Sequence, residues 1–456
     1  MIGGRIRWLA EVTDGQLDGA DAEFAGATTD TRQLAPGQAF FALRGPRFDA
    51  HDFLPEAFRQ GAAVAVGERG ATEGHAFIRV EDSLSALGKA AAAWRRRFDI
   101  PVAAVTGSSG KTTVKEMLAA IAGQAGPVLA TQGNLNNEIG LPLTLFRLSA
   151  EHRRIVLEMG ANHAGEIARL TAIGAPDVGI VTMAGPAHLE GFGSIEGVAH
   201  AKGELFLGLP PSGTAVINAD DRYSSLWREF AGDRPVLTFG LGSADVTCDE
   251  PVADGAGGQR LSITGPFDRL DLTLRLPGRH NALNALAAAA AAHAMGHSRA
   301  EIRQGLESVR PQPGRLEIRA GLGGSRLVDD TYNANPEAVR AAVDFLVQLE
   351  GRGFLALGDM GELGPGAAEL HAEVGRYARD RGVLQLFTVG ELSRNAADAF
   401  GEGAHMFDDP ADLVAALAGS LDADVNLLVK GSRSMRMERI IEGLETTRGS
   451  EEDAAC

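Results

Sequence analysis

Two periodicities alternate along the chain. Short apolar runs closed by glycine or a charged residue, "PVAAVTG" (101–107), "RRIVLEMG" (153–160), "PDVGIVTMAG" (176–185) and "GTAVINAD" (213–220), predict buried strands. Between them, stretches with helical apolar spacing such as "GEIARLTAIG" (165–174) predict helices, and the alternation implies a doubly wound parallel sheet. A helix is predicted over "LSALGKAAAAWRRRF" (84–98), leading into the first of these strands. Ahead of it, "QAFFALRG" (38–45) and "AAVAVGE" (62–68) read as strands of a small mixed α/β domain. After "PQPGRLE" (311–317) the alternation resumes through "SRLVDDTYNANPEAV" (325–339), "GFLALGDMG" (353–361), "LQLFTVG" (384–390) and "VNLLVKGS" (425–432), predicting a Rossmann-like third domain. A chain of 456 residues is too long for one core, so the expectation is an α/β protein in three domains, 1–83, 84–311 and 312–456. "HNALNALAAAAAAHAMG" (280–296) predicts a small-residue helix packed closely inside the middle domain, and the tail "TTRGSEEDAAC" (446–456) is expected to fray.

The first strand of the middle domain runs into "AVTGSSGKTT" (104–113). A glycine-rich turn between a strand and a helix aims free backbone N–H groups at an anion, and Gly107, Ser108, Ser109, Gly110 and Thr113 supply such a turn. Lys111 would reach the β- and γ-phosphates of ATP and Thr112 would place its hydroxyl on Mg2+. In the pattern G-x-x-x-x-G-K-[ST] the first glycine falls where this chain has Val105, which argues against a GTPase or motor but not against ATP. Glu158 closes its strand where many P-loop proteins put an acidic residue near Mg2+. "GPAHLEGFGSIEGVAHAKGELF" (185–206) adds His188 and Lys202.

Composition sharpens this reading. Of 43 basic residues only five are lysines, at 89, 111, 115, 202 and 430, so a lysine marks a place where an arginine fork does not serve. Lys89 and Lys115 are expected to be solvated helix residues. The net charge of -17 excludes wholesale nucleic-acid binding. Two cysteines, Cys248 and Cys456, exclude a disulfide framework or a cysteine-built metal site and suit a reducing, cytoplasmic setting. No apolar run reaches the roughly 18 residues of a membrane span.

These segments together resemble the Mur ligases of peptidoglycan synthesis. The glycine-rich loop of that family has the form T-G-x-x-G-K-T found at Thr106 to Thr112, and the resemblance continues through "GNLNNEIGLPLTL", "LEMG", "GPAHLEGFGS", "AKGE", "LPGRHNALNALAA", "PGRLE" and "DDTYNANPEAV". "TDTR", "RFDAHDF", "ALGDMGELG" and "LLVKGSRSMRME" resemble the branch that adds D-alanyl-D-alanine to UDP-N-acetylmuramoyl-tripeptide, and no D-N-P-R stretch of the diaminopimelate-adding branch is present.

The resemblance implies ATP and Mg2+, with Lys111 and Thr112 at the phosphates, Glu158 and His188 as ligands of a second Mg2+, and Lys202 carried as a carbamate that adds an oxygen ligand. It implies an adenine contact at Asn281, a contact to the terminal phosphate at Arg315, and nucleotide-facing residues at Asp330, Asn333 and Asn335. Thr31, Arg32 and His51 fall in segments similar to the family's uridine-nucleotide site, and Asn134 and Asn137 in one facing the muramoyl peptide. The implied reaction is ATP-dependent amide formation through an acyl phosphate, by a monomer whose C-terminal domain closes on ATP. Another ligase of the superfamily, such as a folylpolyglutamate-forming one, and a nucleotide-switched binding protein are the alternatives. Whether the tripeptide's third residue is diaminopimelate or L-lysine stays open.

Overall fold

The structure, a computed structural model, describes residues 1–45, 48–70, 74–254 and 258–446, so the tail expected to fray lies outside the described residues from 447 onward. At its centre six parallel strands run in the order Val236–Phe239, Thr214–Asn218, Val178–Val181, Val102–Thr106, Arg154–Glu158 and Val128–Ala130. The chain leaves Val102–Thr106 in both directions, so a crevice opens outside the carboxyl end of this strand. Val105 is buried and paired in register with Glu158 on one side and Ile180 on the other. The position of the missing glycine is therefore strand interior, and the turn begins two residues later at Gly107.

Period-2 alternation along Val102–Thr106 feeds two cores. Val102 and Ala104 join Leu141, Leu145, Ile167, Leu170 and the N-terminal residues Ile2, Ile6 and Leu9, with Leu87 and Ala90 of the Ser83–Arg95 helix between them. Ala103 and Val105 face the other way, toward Val114 and Met117 of the Lys111–Ala122 helix and the alanine run of the Arg279–Ala294 helix. The small side chains of that run let residues 285–292 of this helix lie buried, as its composition predicts.

The N-terminal sheet is mixed, in the order Gln16–Asp18, Phe77–Arg79, Val64–Gly67, Ala39–Phe41 and Ala27–Thr28, with only the first pair antiparallel. A four-stranded antiparallel sheet built from Thr247–Cys248, Val252–Ala253, Gln259–Thr264 and Leu270–Leu274 was not anticipated. Its alternation is in the sequence, Leu261, Ile263, Leu270, Leu272 and Leu274 being buried, but the strands are short and half exposed.

The C-terminal sheet runs Glu317–Ala320, Arg326–Asp330, Val425–Lys430, Arg352–Gly358, Gln385–Val389 and Ala404–Phe407, parallel except for its first strand. Asp330 and Lys430 end adjacent strands in register. Among the described residues no helix is long and apolar enough to cross a membrane.

Candidate active site

A cavity of about 450 Å3 lies between the carboxyl ends of the central and C-terminal sheets. On the central side it is floored by the turn 107–110. Gly107 (φ +144°) and Gly110 (φ +82°) hold positive-φ conformations, and a Cβ on either would collide, with Thr182 Oγ1 and Asn284 Oδ1 respectively. Thr182 Oγ1 donates to the Ser109 carbonyl (2.6 Å), and the Gly185 N–H donates to Ser108 Oγ (3.0 Å), so the turn is fixed from the neighbouring strand end. Lys111 opens the following helix and folds back to donate to the Gly107 carbonyl (2.6 Å). Burial pushes its pKa down, and Glu158 opposes that.

Glu158, the last residue of its strand, is buried. Its Oε1 accepts from Asn136 Nδ2 (2.7 Å), while Oε2 has no hydrogen-bond partner among the described residues. His188 stands across the cavity at φ +53° and its Nδ1 makes an ion-pair contact with Glu362 of the C-terminal domain. Burial lowers the His188 pKa against the pull of Glu362. Lys202 lies behind the lining residue Ala161, buried, with Nζ 3.3 Å from the Ala161 carbonyl and 5.1 Å from the Phe192 ring centroid. Burial, then repulsion from Lys111, brings its amine down to about 7.

A hard cation would find oxygen at Thr112 and at the unpartnered Glu158 Oε2, and an imidazole at His188. Among the described residues no set of three or more His, Cys, Asp or Glu is placed to hold a metal by itself. These residues fit Mg2+.

The C-terminal domain supplies the opposite wall. Arg315 donates to Thr112 Oγ1 (3.0 Å) with its guanidinium 4.2 Å from the Tyr332 ring centroid. Lys430 donates to Asp330 (2.5 Å) and to the Asn333 carbonyl (2.9 Å); burial pushes the Asp330 pKa up and Lys430 opposes it. Asn335 caps the Pro336–Leu346 helix, accepting from the Ala338 N–H (2.8 Å). Glu337 is pushed by burial, then by Asp221, up to about 7, and its Oε2 lacks a hydrogen-bond partner among the described residues. Asn281 is held by the Pro277 carbonyl (2.7 Å) beside His280, whose pKa burial lowers to about 4.

Three family models cover most of this architecture. The Mur ligase family catalytic domain matches residues 23–122, the Mur ligase middle domain 105–292, and the Mur ligase glutamate ligase domain 314–433. The UDP-N-acetylmuramoyl-tripeptide--D-alanyl-D-alanine ligase of Escherichia coli K12 is 41% identical over 449 residues, spanning 98% of this chain and 99% of its own. The chain belongs to the Mur ligase family. Among solved structures, MurF from Acinetobacter baumannii superposes with a TM-score of 0.92 at 34% identity, covering 97% of this chain and 98% of its own. MurF from Thermotoga maritima in complex with ADP gives 0.84 at 30% identity, covering 92% and 96%.

In this Mur ligase the cavity gathers Ser108, Ser109, Gly110, Lys111, Thr112, Thr113, Asn134, Asn137, Glu158, His188, Asn281, Arg315, Asp330, Asn333 and Asn335, all read from the sequence. Thr31, Arg32 and His51 are not brought to it. Arg32 is exposed and pairs with Asp30 (2.7 Å), and Thr31 opens the short turn Thr31–Gln33. Both ring nitrogens of His51 serve the N-terminal fold, Nδ1 beside Asp49 (2.5 Å) and Nε2 accepting from the Glu68 N–H (2.9 Å). Lys89 is a solvated helix residue paired with Asp14 (3.0 Å), but Lys115 is not: it is buried against Glu116. Sequence reasoning passed over Asn136, Tyr332, Glu337, Glu362 and Lys430. Lysine scarcity was a signal for Lys430; Asn136 stands between two chosen asparagines; the others carry no local signal.

Proposed function

We propose that this Mur ligase joins D-alanyl-D-alanine to UDP-N-acetylmuramoyl-tripeptide in the cytoplasm, using ATP, as a step of peptidoglycan precursor synthesis. The observation that carries the reading is that one cavity holds the P-loop lysine, the unpartnered Glu158 oxygen and an arginine reaching from another domain to the P-loop threonine. That is a seat for a phosphoryl group in transfer between two bound substrates. A peptide carboxylate resists attack by an amine, so its oxygen first takes the γ-phosphoryl group, with ADP leaving. The dipeptide amine then attacks the acyl carbon, phosphate departs, and the amine gives up a proton. Lys111 and Arg315 oppose the charge that gathers as two anions approach. One Mg2+ held by Thr112, and a second held by Glu158, His188 and Lys202 as its carbamate, would neutralise further phosphate charge.

Asn281 orients the adenine, and Asp330 and Asn333 face the nucleotide from the closing domain; Asn335 sets the helix behind them. Asn134 and Asn137 face the peptide, and Thr31, Arg32 and His51 belong to the domain that takes the uridine nucleotide. Incubation with ATP, Mg2+, UDP-N-acetylmuramoyl-tripeptide and D-alanyl-D-alanine should yield ADP, phosphate and a product heavier by the dipeptide less one water. ATP hydrolysis indifferent to the dipeptide would favour a nucleotide-switched binding protein instead.

A further inference from the structure

Two side chains of the C-terminal domain stand on residues that the proposed chemistry gives to metal ions. Arg315 donates to Thr112 Oγ1 (3.0 Å), and the Glu362 carboxylate lies against His188 Nδ1, which has no hydrogen-bond partner besides among the described residues. Both members of the second contact have positive φ, +61° at Glu362 and +53° at His188. Residues with a Cβ seldom adopt that conformation, and it persists only where the surroundings fix it. Around Glu362 they do. Its loop follows the Arg352–Gly358 strand, and the Asp359 carbonyl accepts from the Ser432 N–H (2.9 Å) and from Ser432 Oγ (2.6 Å). Asp359 Oδ1 accepts from the Ser393 N–H (2.7 Å), and the Met360 N–H donates to Nε2 of the buried His371 (2.9 Å). A Cβ on Gly364 would lie 3.7 Å from the Glu190 nitrogen, so the far end of the loop packs on the Leu189–Phe192 helix of the central domain. A fixed loop thus aims Glu362 at His188, yet the glutamate side chain is 58% exposed and has water to return to.

A ring nitrogen serves one partner at a time. Toward a carboxylate Nδ1 presents its proton, whereas toward a metal ion it must present its lone pair. We propose that Glu362 is a positioning residue that competes with Mg2+ for His188 Nδ1, so that this domain contact and the metal seat at Glu158 and His188 exclude each other. The inference rests on the proposed Mg2+ seat. Glu362 is a rival of the metal and not a further ligand, because Glu158, His188 and Glu362 are not placed to hold an ion together. Arg315 obeys the same rule at Thr112, where its guanidinium stands on the oxygen that a metal would need. A nucleotide phosphate offers Arg315 a new anion to hold but offers Glu362 nothing. Seating the metal therefore hands Arg315 over and turns Glu362 out. The apparent metal affinity is the intrinsic one reduced by the fraction of molecules in which His188 is free. A carboxylate that aided the metal, as a ligand or through its field, would act with the opposite sign.

The test uses Mn2+ as the probe, its binding to the whole chain followed from the electron paramagnetic resonance of the free ion, without nucleotide and with bicarbonate present. Glu362→Ala should bind Mn2+ roughly fivefold more tightly than the wild type. Glu362→Gln, whose amide oxygen accepts more weakly than a carboxylate, should fall between the two. Glu190→Gln removes a nearby charge without touching His188 and should not tighten binding. In a His188→Ala background the gain from Glu362→Ala should vanish, since nothing is left to compete for. Weaker or unchanged Mn2+ binding in both Glu362 variants, in a protein whose Mn2+ binding depends on His188, overturns this inference alone. Equal binding by the wild type and His188→Ala overturns the proposed metal seat and this inference with it.

Discussion

Lys111 and Lys202 are both buried amines, and their surroundings differ. Lys111 has Glu158 and a loop carbonyl to support its charge, which the proposed reaction would set against phosphate. Lys202 has one long carbonyl contact, an aromatic face and a repelling lysine, with Glu166 and Glu204 pulling the other way, and burial brings its amine down to about 7. Lys111→Ala should therefore lose roughly a hundredfold or more in product formation, read from initial rates. Lys202→Arg should be as inactive as Lys202→Ala, because a guanidinium brings positive charge where the carbamate would bring an anion. Short carboxylic acids added to the alanine variant should restore part of the rate but should do little for arginine. A fully active Lys202→Arg enzyme would show that the position needs only a cation. The rarity of lysine made these two residues legible in the sequence. It pointed equally to Lys430, but a lysine ending an apolar strand gains its meaning only when Asp330 arrives beside it on the next strand.

Among elements, the turn 107–110 was legible because its chemistry is local: strand, glycines, lysine and hydroxyl occur within ten residues. The parallel strands were legible for a related reason, since burial on both faces leaves an unbroken apolar run. The antiparallel sheet between 247 and 274 was not, because strands of two to six residues with one wet face resemble loop sequence. Beyond the turn, the site could be assembled from the sequence only where a segment resembles the family, which is how its asparagines were placed. Glu337 and Glu362 meet the central domain only because a second domain approaches it, which leaves no mark in their sequence neighbours. The same turn yields a sharp mutational test. Gly110→Ala places an L-residue at φ +82° with its Cβ against Asn284, at a cost of roughly 1–2 kcal/mol from the backbone alone. A lowered Tm together with weakened ADP binding in a calorimetric titration is the expected result, and unchanged ADP affinity would mean that the turn does not hold the nucleotide.

At the scale of the molecule, the C-terminal domain already rests on the central one through Arg315–Thr112 and His188–Glu362. Glu337 opposes that contact when ionised. Its ordinary pKa of 4.5 rises to about 7 on burial beside Asp221, with Arg340 and Arg222 pulling the other way. The folded state therefore binds the extra proton between these values, and stability falls as pH rises from about 4.5 through about 7. Glu337→Gln cannot ionise, so it should melt above the wild type at pH 8 and with it at pH 5. A gap that is the same at both pH values would remove Glu337 from the seam's proton balance.

The two faces of Val102–Thr106 carry a further consequence. Because alternate residues of this strand anchor separate cores, heat cannot release the N-terminal domain without tearing the central sheet, whereas the C-terminal sheet closes its own clusters on both sides. A scanning calorimeter should thus record two cooperative transitions rather than three, the smaller belonging to the C-terminal domain. Bound nucleotide, touching both units, should draw the smaller transition up toward the larger until a single endotherm remains.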